Sequence, residues 1–513
     1  MSAYVDQLEH ASIYHRGPDD SDESDGEGGL GNLNRLIVRP PGQSGKAKRG
    51  QLCFDAAFEC GNLARADHVT DLEYDLFVRP DTCRPRARFW YNFTVENVKQ
   101  DQIKIFISIL TIAFAFDKEE DVYQFSAAAP YSYSRSQRHL AAWLKRAQAY
   151  ATFETIAETT QKRRIDLVTI GNFELRDPKK RVVFVIARAH GGEPASSFIC
   201  QGFLDYLASS SEKARALREN VVIQVVPMLN PDGVFLGNQR SDLLGSDFNR
   251  CWNRPTTYAH PALIAVKEQI NKLNSEKRMQ LDFIIDIHGD ISHEGVFVRG
   301  NSYDDVYRFE RQAVLPKFLA SRIEAWRAEA CMFNSDLQSA GTARRALPTG
   351  GVDAYTLLAS QGGRRLTPRG VYLHYTEEAY AKIGRSLAKA LCDYYRHIGV
   401  IPPRISFSSP ERRGRVVRAR ILSPPLPEAS PPLRILLPRM SRHTARRARP
   451  HTVPDVDAFL PVITGTLAVR TPRLAVLDMS AHIRTPADCA RARRPRPRAK
   501  LTSDEYDTRE SDS

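Results

Sequence analysis

No apolar run in this 513-residue chain approaches the length of a membrane span, and residues 1–7 contain no signal-peptide core. Neither a membrane-spanning nor a secreted protein is expected. The eight cysteines, Cys53, Cys60, Cys83, Cys200, Cys251, Cys331, Cys392 and Cys489, form no CxxC pair and no zinc-finger spacing. That excludes a disulfide scaffold and fits reduced thiols in a cytosolic protein. Internal repeats are absent. The arginine runs carry no interleaved aromatics, so nucleic acid is disfavoured as a partner despite a net charge of +13.

What is present divides into four stretches. Residues 1–33 hold an acidic, Gly/Ser-rich leader with Asp19, Asp20, Asp22 and Glu23, too polar to bury a core and expected to be disordered. Residues 34–135 alternate apolar and polar positions, as in Glu73-Tyr74-Asp75-Leu76-Phe77-Val78, which suits a small antiparallel β domain. From 136 to 399, short apolar runs alternate with helical patterns such as residues 261–270, the mark of an α/β domain. Residues 400–513 are rich in proline and arginine and are expected to form a disordered tail.

Chemistry concentrates at His190-Gly191-Gly192-Glu193, between the apolar run 181–189 and an amphipathic, helix-like stretch from Pro194 to Leu207. Val182, Val183, Phe184, Val185 and Ile186 read as a strand buried on both faces. Sites in open α/β sheets form beyond the carboxyl ends of such strands. The two glycines allow a bend that brings His190 and Glu193 to one ion, and Pro194 suits a first helical turn. His288 ends a second apolar run, 281–287. Two imidazoles and a carboxylate are the ligand set of a catalytic zinc with an open fourth position, one ion per chain. A lone His-x-x-Glu is common by chance, and a strand-end histidine is more often a hydrogen-bonded loop residue. The surrounding residues decide between these.

Those residues are Pro194-Ala195-Ser196-Ser197-Phe198, Asn230-Pro231-Asp232-Gly233-Val234, Gly237-Asn238-Gln239-Arg240, Asp247-Phe248-Asn249-Arg250 and Asp286-Ile287-His288-Gly289. With them the chain resembles the zinc metallocarboxypeptidases related to carboxypeptidase A, and within these the cytosolic carboxypeptidases that act as protein deglutamylases. Residues 88–98 are similar to the β domain that precedes the catalytic domain in that subfamily, and the resemblance spans about residues 30 to 400. It implies a mixed-sheet α/β fold, zinc on His190, Glu193 and His288, and substrate contacts from Arg240, Asn249 and Arg250. A guanidinium holds a terminal carboxylate with two charge-assisted hydrogen bonds, which suits Arg250 with Asn249. Arg240 would face the oxyanion.

One position departs from the family. Its members carry a Tyr-Thr-Leu-Glu strand whose glutamate activates water and later protonates the leaving amine; here Tyr355-Thr356-Leu357-Leu358 puts Leu358 in that slot. Leucine moves no proton. Asp290 and Glu294 follow His288, and Glu377 and Glu378 follow Thr376 as a helix's acidic first turn. None is aimed at the slot by spacing.

The resemblance implies removal of C-terminal glutamates from polyglutamylated tubulin or other acidic protein tails, in the cytoplasm and at microtubules. A basic chain attracts such poly-anions. A basic side chain is expected to line the specificity pocket, though spacing singles none out. The alternative is a pseudoenzyme that keeps zinc and binds glutamylated tails without turnover.

Overall fold

The structure is a computed structural model that describes residues 27–28, 31–100, 103–108, 111–171, 179–367, 370–406, 420–422 and 473–476. Its centre is a mixed sheet whose strands are numbered here β1 (Ala151–Glu158), β2 (Arg164–Ile170), β3 (Lys180–Ala187), β4 (Val221–Val226), β5 (Met279–Asp290), β6 (Val296–Asn301), β7 (Met332–Asn334) and β8 (Asp353–Ser360). They lie in the order β1-β2-β4-β3-β5-β8-β6-β7. The four central strands β4, β3, β5 and β8 run parallel, and β2 and β6 pair antiparallel with β4 and β8.

Burial on both faces explains the near-continuous apolar composition of the central strands. Along β3, Val183, Val185 and Ala187 enter one core while Val182, Phe184 and Ile186 enter the other. Helices α1 (Tyr133–Ala147), α2 (Pro194–Leu207), α4 (Val314–Arg322) and α5 (Glu377–His397) cover the first face, and α3 (Pro261–Ser275) covers the second. Each fully buried valine, isoleucine or phenylalanine contributes about 1.5–3 kcal/mol of transfer free energy.

Helix α2 departs from the expected amphipathic pattern, because twelve of its fourteen residues are buried. It lies between the sheet and α5 at a separation that only small residues permit. A Cβ on Gly202 would sit 2.3 Å from the Ala381 carbonyl oxygen, and one on Gly384 would sit 2.0 Å from that of Ile199.

Ahead of this domain, strands 36–37, 53–55, 92–96 and 123–126 form one antiparallel sheet, and 65–68, 73–77, 103–107 and 111–115 form a second, with one parallel pairing between 73–75 and 105–107. Phe54, Tyr74, Phe93, Phe106 and Phe125 fill the core they share. Most of the leader and most of the tail lie outside the described residues. At Glu27–Gly28, which pairs with 32–33, at 404–406 paired with 420–422, and at 473–476, seated on the edge strand 123–126, the chain forms strand pairs.

The connections fix where a site can form. The chain passes from β3 to β4 on one side of β3 and then returns to β5 on its other side. The crevice beyond the carboxyl ends of β3 and β5 is therefore the topological switch point of the sheet.

Candidate active site

His190 follows β3 directly and His288 lies near the end of β5, so both imidazoles enter the switch-point crevice. Glu193 stands between them. Its Oε1 is 2.7 Å from His190 Nδ1, its Oε2 is 2.8 Å from His288 Nδ1, and the Gly289 amide donates to Oε2 at 3.0 Å. All three side chains are buried, and one ligand atom from each falls within 4.8 Å of the others. This is the only such group among the described residues.

The opposite ring nitrogens are also held. His190 Nε2 is 2.9 Å from Asp247 Oδ1, and His288 Nε2 is 2.7 Å from Asp286 Oδ2. Asp286 precedes His288 by two residues on one strand, so both side chains project to the same face of the sheet. A histidine that ligates a metal through one nitrogen and meets a carboxylate through the other is fixed in tautomer and made more basic. Two nitrogens and a carboxylate oxygen, each imidazole backed in this way, fit zinc.

The charge balance is that of a site poised for a cation. Burial alone would raise the Glu193 carboxyl, yet His190 and His288 outweigh it and hold the group well below the usual carboxylate range. Burial likewise opposes a charge on His288, but Asp286 and Glu193 raise its pKa to about 10. Asp247 is pushed down by His190 and Arg240 against the effect of its own burial. A metal entering here displaces the proton shared between imidazole and carboxylate.

The glycines of the ligand turn act through space, not through the bend expected for them. Neither has a positive φ. A Cβ on Gly191 would lie 2.4 Å from the Asn238 carbonyl oxygen, and one on Gly192 would lie 2.2 Å from Gln239 Oε1. The left-handed residue is Arg188, at φ 57°. Its buried guanidinium donates to the Gly191 carbonyl through Nη2 at 2.7 Å and to Ser197 Oγ through Nη1 at 2.9 Å, bracing the turn from behind.

Segment 237–250 carries the three expected substrate contacts. Arg240 Nε donates to Asp247 Oδ2 at 2.5 Å, so one carboxylate holds both His190 and Arg240. Asn249 Oδ1 accepts from the Ala343 amide at 3.0 Å, and its Nδ2 lies 3.1 Å from His288 Nε2. When that nitrogen gives its hydrogen to Asp286, it offers Asn249 no lone pair, and the amide N–H groups stay available to a ligand. Arg250 donates to the Asn249 carbonyl through Nη1 at 2.7 Å and is otherwise exposed.

The N-terminal β region anchors this segment. Asp81 accepts from the Gln239, Arg240 and Ser241 amides at 2.7, 2.8 and 3.0 Å. Asn62 Nδ2 donates to the Gly237 carbonyl at 3.0 Å. Sequence reasoning missed Asp81, Asp247, Asp286 and Arg188. The two motif aspartates were recoverable from their spacing to Asn249 and His288, whereas Asp81 lies 159 residues from Arg240 and carries no local signal.

Leu358 occupies β8 directly beside His288, with which it is paired in parallel register, and opposite Phe297 of β6. It is 8% exposed. Each of the four other carboxylates has partners of its own. Asp290 accepts from the Ser292 and His293 amides, Glu294 pairs with Arg365, Glu377 with Arg135 and Glu378 with Arg385. The basic stretch after Gln361 forms a hairpin of strands Gly363–Arg365 and Tyr372–His374, and Thr376 caps α5 through the Ala379 amide at 3.2 Å.

Comparisons with known proteins agree with this geometry. A family profile described as zinc carboxypeptidase matches residues 138–293. Cytosolic carboxypeptidase 6 of Mus musculus is 40% identical over 441 residues, covering 76% of this chain and 81% of its own. The Homo sapiens protein of the same name is 39% identical, covering 77% of this chain and 89% of its own. In fold, the chain is similar to a metallo-carboxypeptidase from Burkholderia cenocepacia, with a TM-score of 0.58 at 20% identity over 68% of this chain and all of that one. Among the described residues no helix is long and apolar enough to cross a membrane.

Proposed function

Since the chain belongs to the cytosolic carboxypeptidases, a branch of the zinc carboxypeptidase family of hydrolases, we propose that it removes C-terminal glutamates from acidic protein tails, polyglutamylated tubulin among them, in the cytoplasm and on microtubules. The observation that carries this reading is the convergence of His190, Glu193 and His288 with Arg240, Asn249 and Arg250 in one crevice at the sheet's switch point. Zinc, when bound by the first three, supplies Lewis-acid polarisation of the scissile carbonyl.

The chain's own residues do the remainder. Arg250 and the free N–H groups of Asn249 receive the terminal carboxylate, which orients the last peptide bond. Arg240 is held by Asp247 through Nε, so its remaining N–H groups are fixed in direction and stabilise negative charge developing on the carbonyl oxygen. Water must then lose a proton and the leaving amine must gain one. Leu358 can do neither, so turnover is slow.

A second reading is favoured by that same residue. With Leu358 in the slot and Asp290, Glu294, Glu377 and Glu378 engaged elsewhere, the site works as a receptor for glutamylated tails. The test is glutamate release from a polyglutamylated tubulin-tail peptide by the zinc-loaded full chain, with His190→Ala and Leu358→Glu in parallel. Turnover that His190→Ala abolishes supports the enzyme. No turnover until Leu358→Glu supplies it supports the receptor, and none in any variant despite bound zinc sinks the carboxypeptidase reading.

A further inference from the structure

The motif Asn230-Pro231-Asp232-Gly233 supplies neither a zinc ligand nor a substrate contact, yet its asparagine is 1% exposed at the seam between the two halves of the site. β4 runs beside β3, and beyond its end the Leu229 and Asn230 amides donate to the Ala187 and Arg188 carbonyls at 2.9 and 3.1 Å. Asn230 is thereby carried alongside the turn that presents His190 and Glu193.

Its side chain meets three backbone groups. Oδ1 accepts from the Gly233 amide at 2.9 Å and caps the short helix Pro231–Phe235. Nδ2 donates to the Ala189 carbonyl at 3.2 Å and to the Ser241 carbonyl at 3.4 Å. These partners fix which way the amide faces, because the N–H demands its oxygen and the two carbonyls demand its nitrogen. Ala189 immediately precedes His190, and Ser241 immediately follows Arg240. One NH2 group therefore bridges the zinc turn and the segment that holds the substrate.

Gly233 is shaped to the same bridge. A Cβ there would lie 2.6 Å from Asn230 Nδ2 and 2.5 Å from the Ser241 carbonyl oxygen, the donor and one acceptor of the bridge. Its φ is not positive, so close approach and not backbone freedom calls for glycine. Two further ties run beside the bridge, from the Gly192 amide to the Gln239 carbonyl at 2.7 Å and from His190 through Asp247 to Arg240.

We infer that Asn230 is a positioning residue that couples the two halves of the site, so that zinc at His190, Glu193 and His288 and a peptide terminus at Arg240, Asn249 and Arg250 tighten each other's binding. This rests on the carboxypeptidase reading of the crevice. A turn fixed by its ion holds the Ala189 carbonyl at one point, and the amide pinned there holds Ser241 in turn. The cost of ordering the Arg240 segment is then met before the peptide arrives. Linkage makes the effect reciprocal, so the peptide raises zinc affinity by the same factor.

The test is the zinc affinity of the full chain by competition with a chromogenic chelator, measured alone, with a saturating peptide that ends in glutamate, and with the same peptide amidated at its C-terminus. Wild type is expected to bind zinc roughly tenfold more tightly when the free-acid peptide is present. Asn230→Ser keeps a helix cap and removes the bridge, so this factor should shrink to about threefold, with the remaining ties preserving the rest. Gly233→Ala leaves the asparagine in place, displaces its amide, and should shrink the factor equally. Asn230→Asp keeps the cap but sets an oxygen against two carbonyls; it should shrink the factor at least as far, and it serves where the serine variant does not fold. Hydrogen exchange of the wild-type chain needs no variant, since zinc alone should slow exchange in residues 238–242. An unchanged factor in folded Asn230→Ser and Gly233→Ala overturns the inference and leaves the clamp standing. So does a weaker zinc affinity with the factor intact, or exchange that zinc does not slow. A wild-type chain whose zinc affinity ignores the peptide, or responds equally to the amidated one, overturns both the inference and the reading of the clamp.

Discussion

Strands β5 and β8 lie side by side in parallel register, yet they bring opposite kinds of residue to the crevice. Near its end β5 carries Asp286 and His288, and the imidazole is held from both sides by carboxylates at 2.7 and 2.8 Å. β8 places Leu358 in the next lateral position, against Phe297. The backbone of the slot is intact, as the pairing of Leu358 with His288 and of Ala359 with Gly289 makes plain. Leu358 sits on a strand in regular register with β5, so a single substitution there tests whether the position can serve as the slot of a base. Leu358→Glu is expected to raise glutamate release about a hundredfold to ten-thousandfold, the usual contribution of general acid/base transfer. A gain of less than tenfold in a folded, zinc-loaded variant would mean that the slot is not where the base belongs.

The β5 side of the comparison can be weakened in turn. Asp247→Asn and Asp286→Asn each keep the size of the side chain and remove the negative charge behind one imidazole. Each should lower zinc affinity roughly tenfold to a hundredfold, as measured by competition with a chromogenic chelator. Unchanged affinity would mean that the two aspartates only pack against the rings.

The sequence predicts the scaffold well because its signals are local. A β-branched run buried on both faces, a proline at the first helical position and a threonine cap at 376 are read within a few residues, and the structure has β3, α2 and α5 where they fall. His190, Glu193 and His288 converge as expected, because strand ends place side chains with little freedom. The burial of α2 on nearly all sides was not legible, since its second covering layer is α5, which begins 170 residues beyond the end of α2. Gly191 and Gly192 were singled out for the wrong reason, because close approach by the 233–239 segment leaves no trace in the turn's own sequence.

Asp81 extends the comparison to the N-terminal β region, which supplies the site with no ligand and yet fixes the Arg240 segment through three backbone amides. Asp81→Ala leaves those N–H groups unpaired at a buried interface. It should destabilise the protein by about 1–3 kcal/mol in chemical denaturation, and weaken binding of a glutamate-terminated peptide while zinc affinity holds. Loss of zinc affinity to the same degree would mean that the segment supports the ligand turn as much as it supports Arg240.

The smallest effect lies at the far end of β5 and contrasts one carboxylate with another. Glu193 is held low by two imidazoles, whereas burial raises Asp282 to about 6, more than Arg181 and the Tyr395 hydroxyl can offset. A carboxyl whose folded pKa exceeds its unfolded value of 3.8 gains a proton first in the folded state, so its contribution to stability is fully present below about pH 4 and is lost as pH rises through about 6. Between pH 7.5 and pH 5, the wild-type chain should therefore gain about 1 kcal/mol relative to Asp282→Asn. The absolute stability of the variant matters less than this slope, because the asparagine also disturbs Arg181 and Tyr395 by an amount that does not vary with pH in this window. Denaturation midpoints of both proteins across that range measure it. A constant difference between them would mean that Arg181 keeps Asp282 ionised throughout, and that the buried end of β5 is held by an ion pair as its active end is.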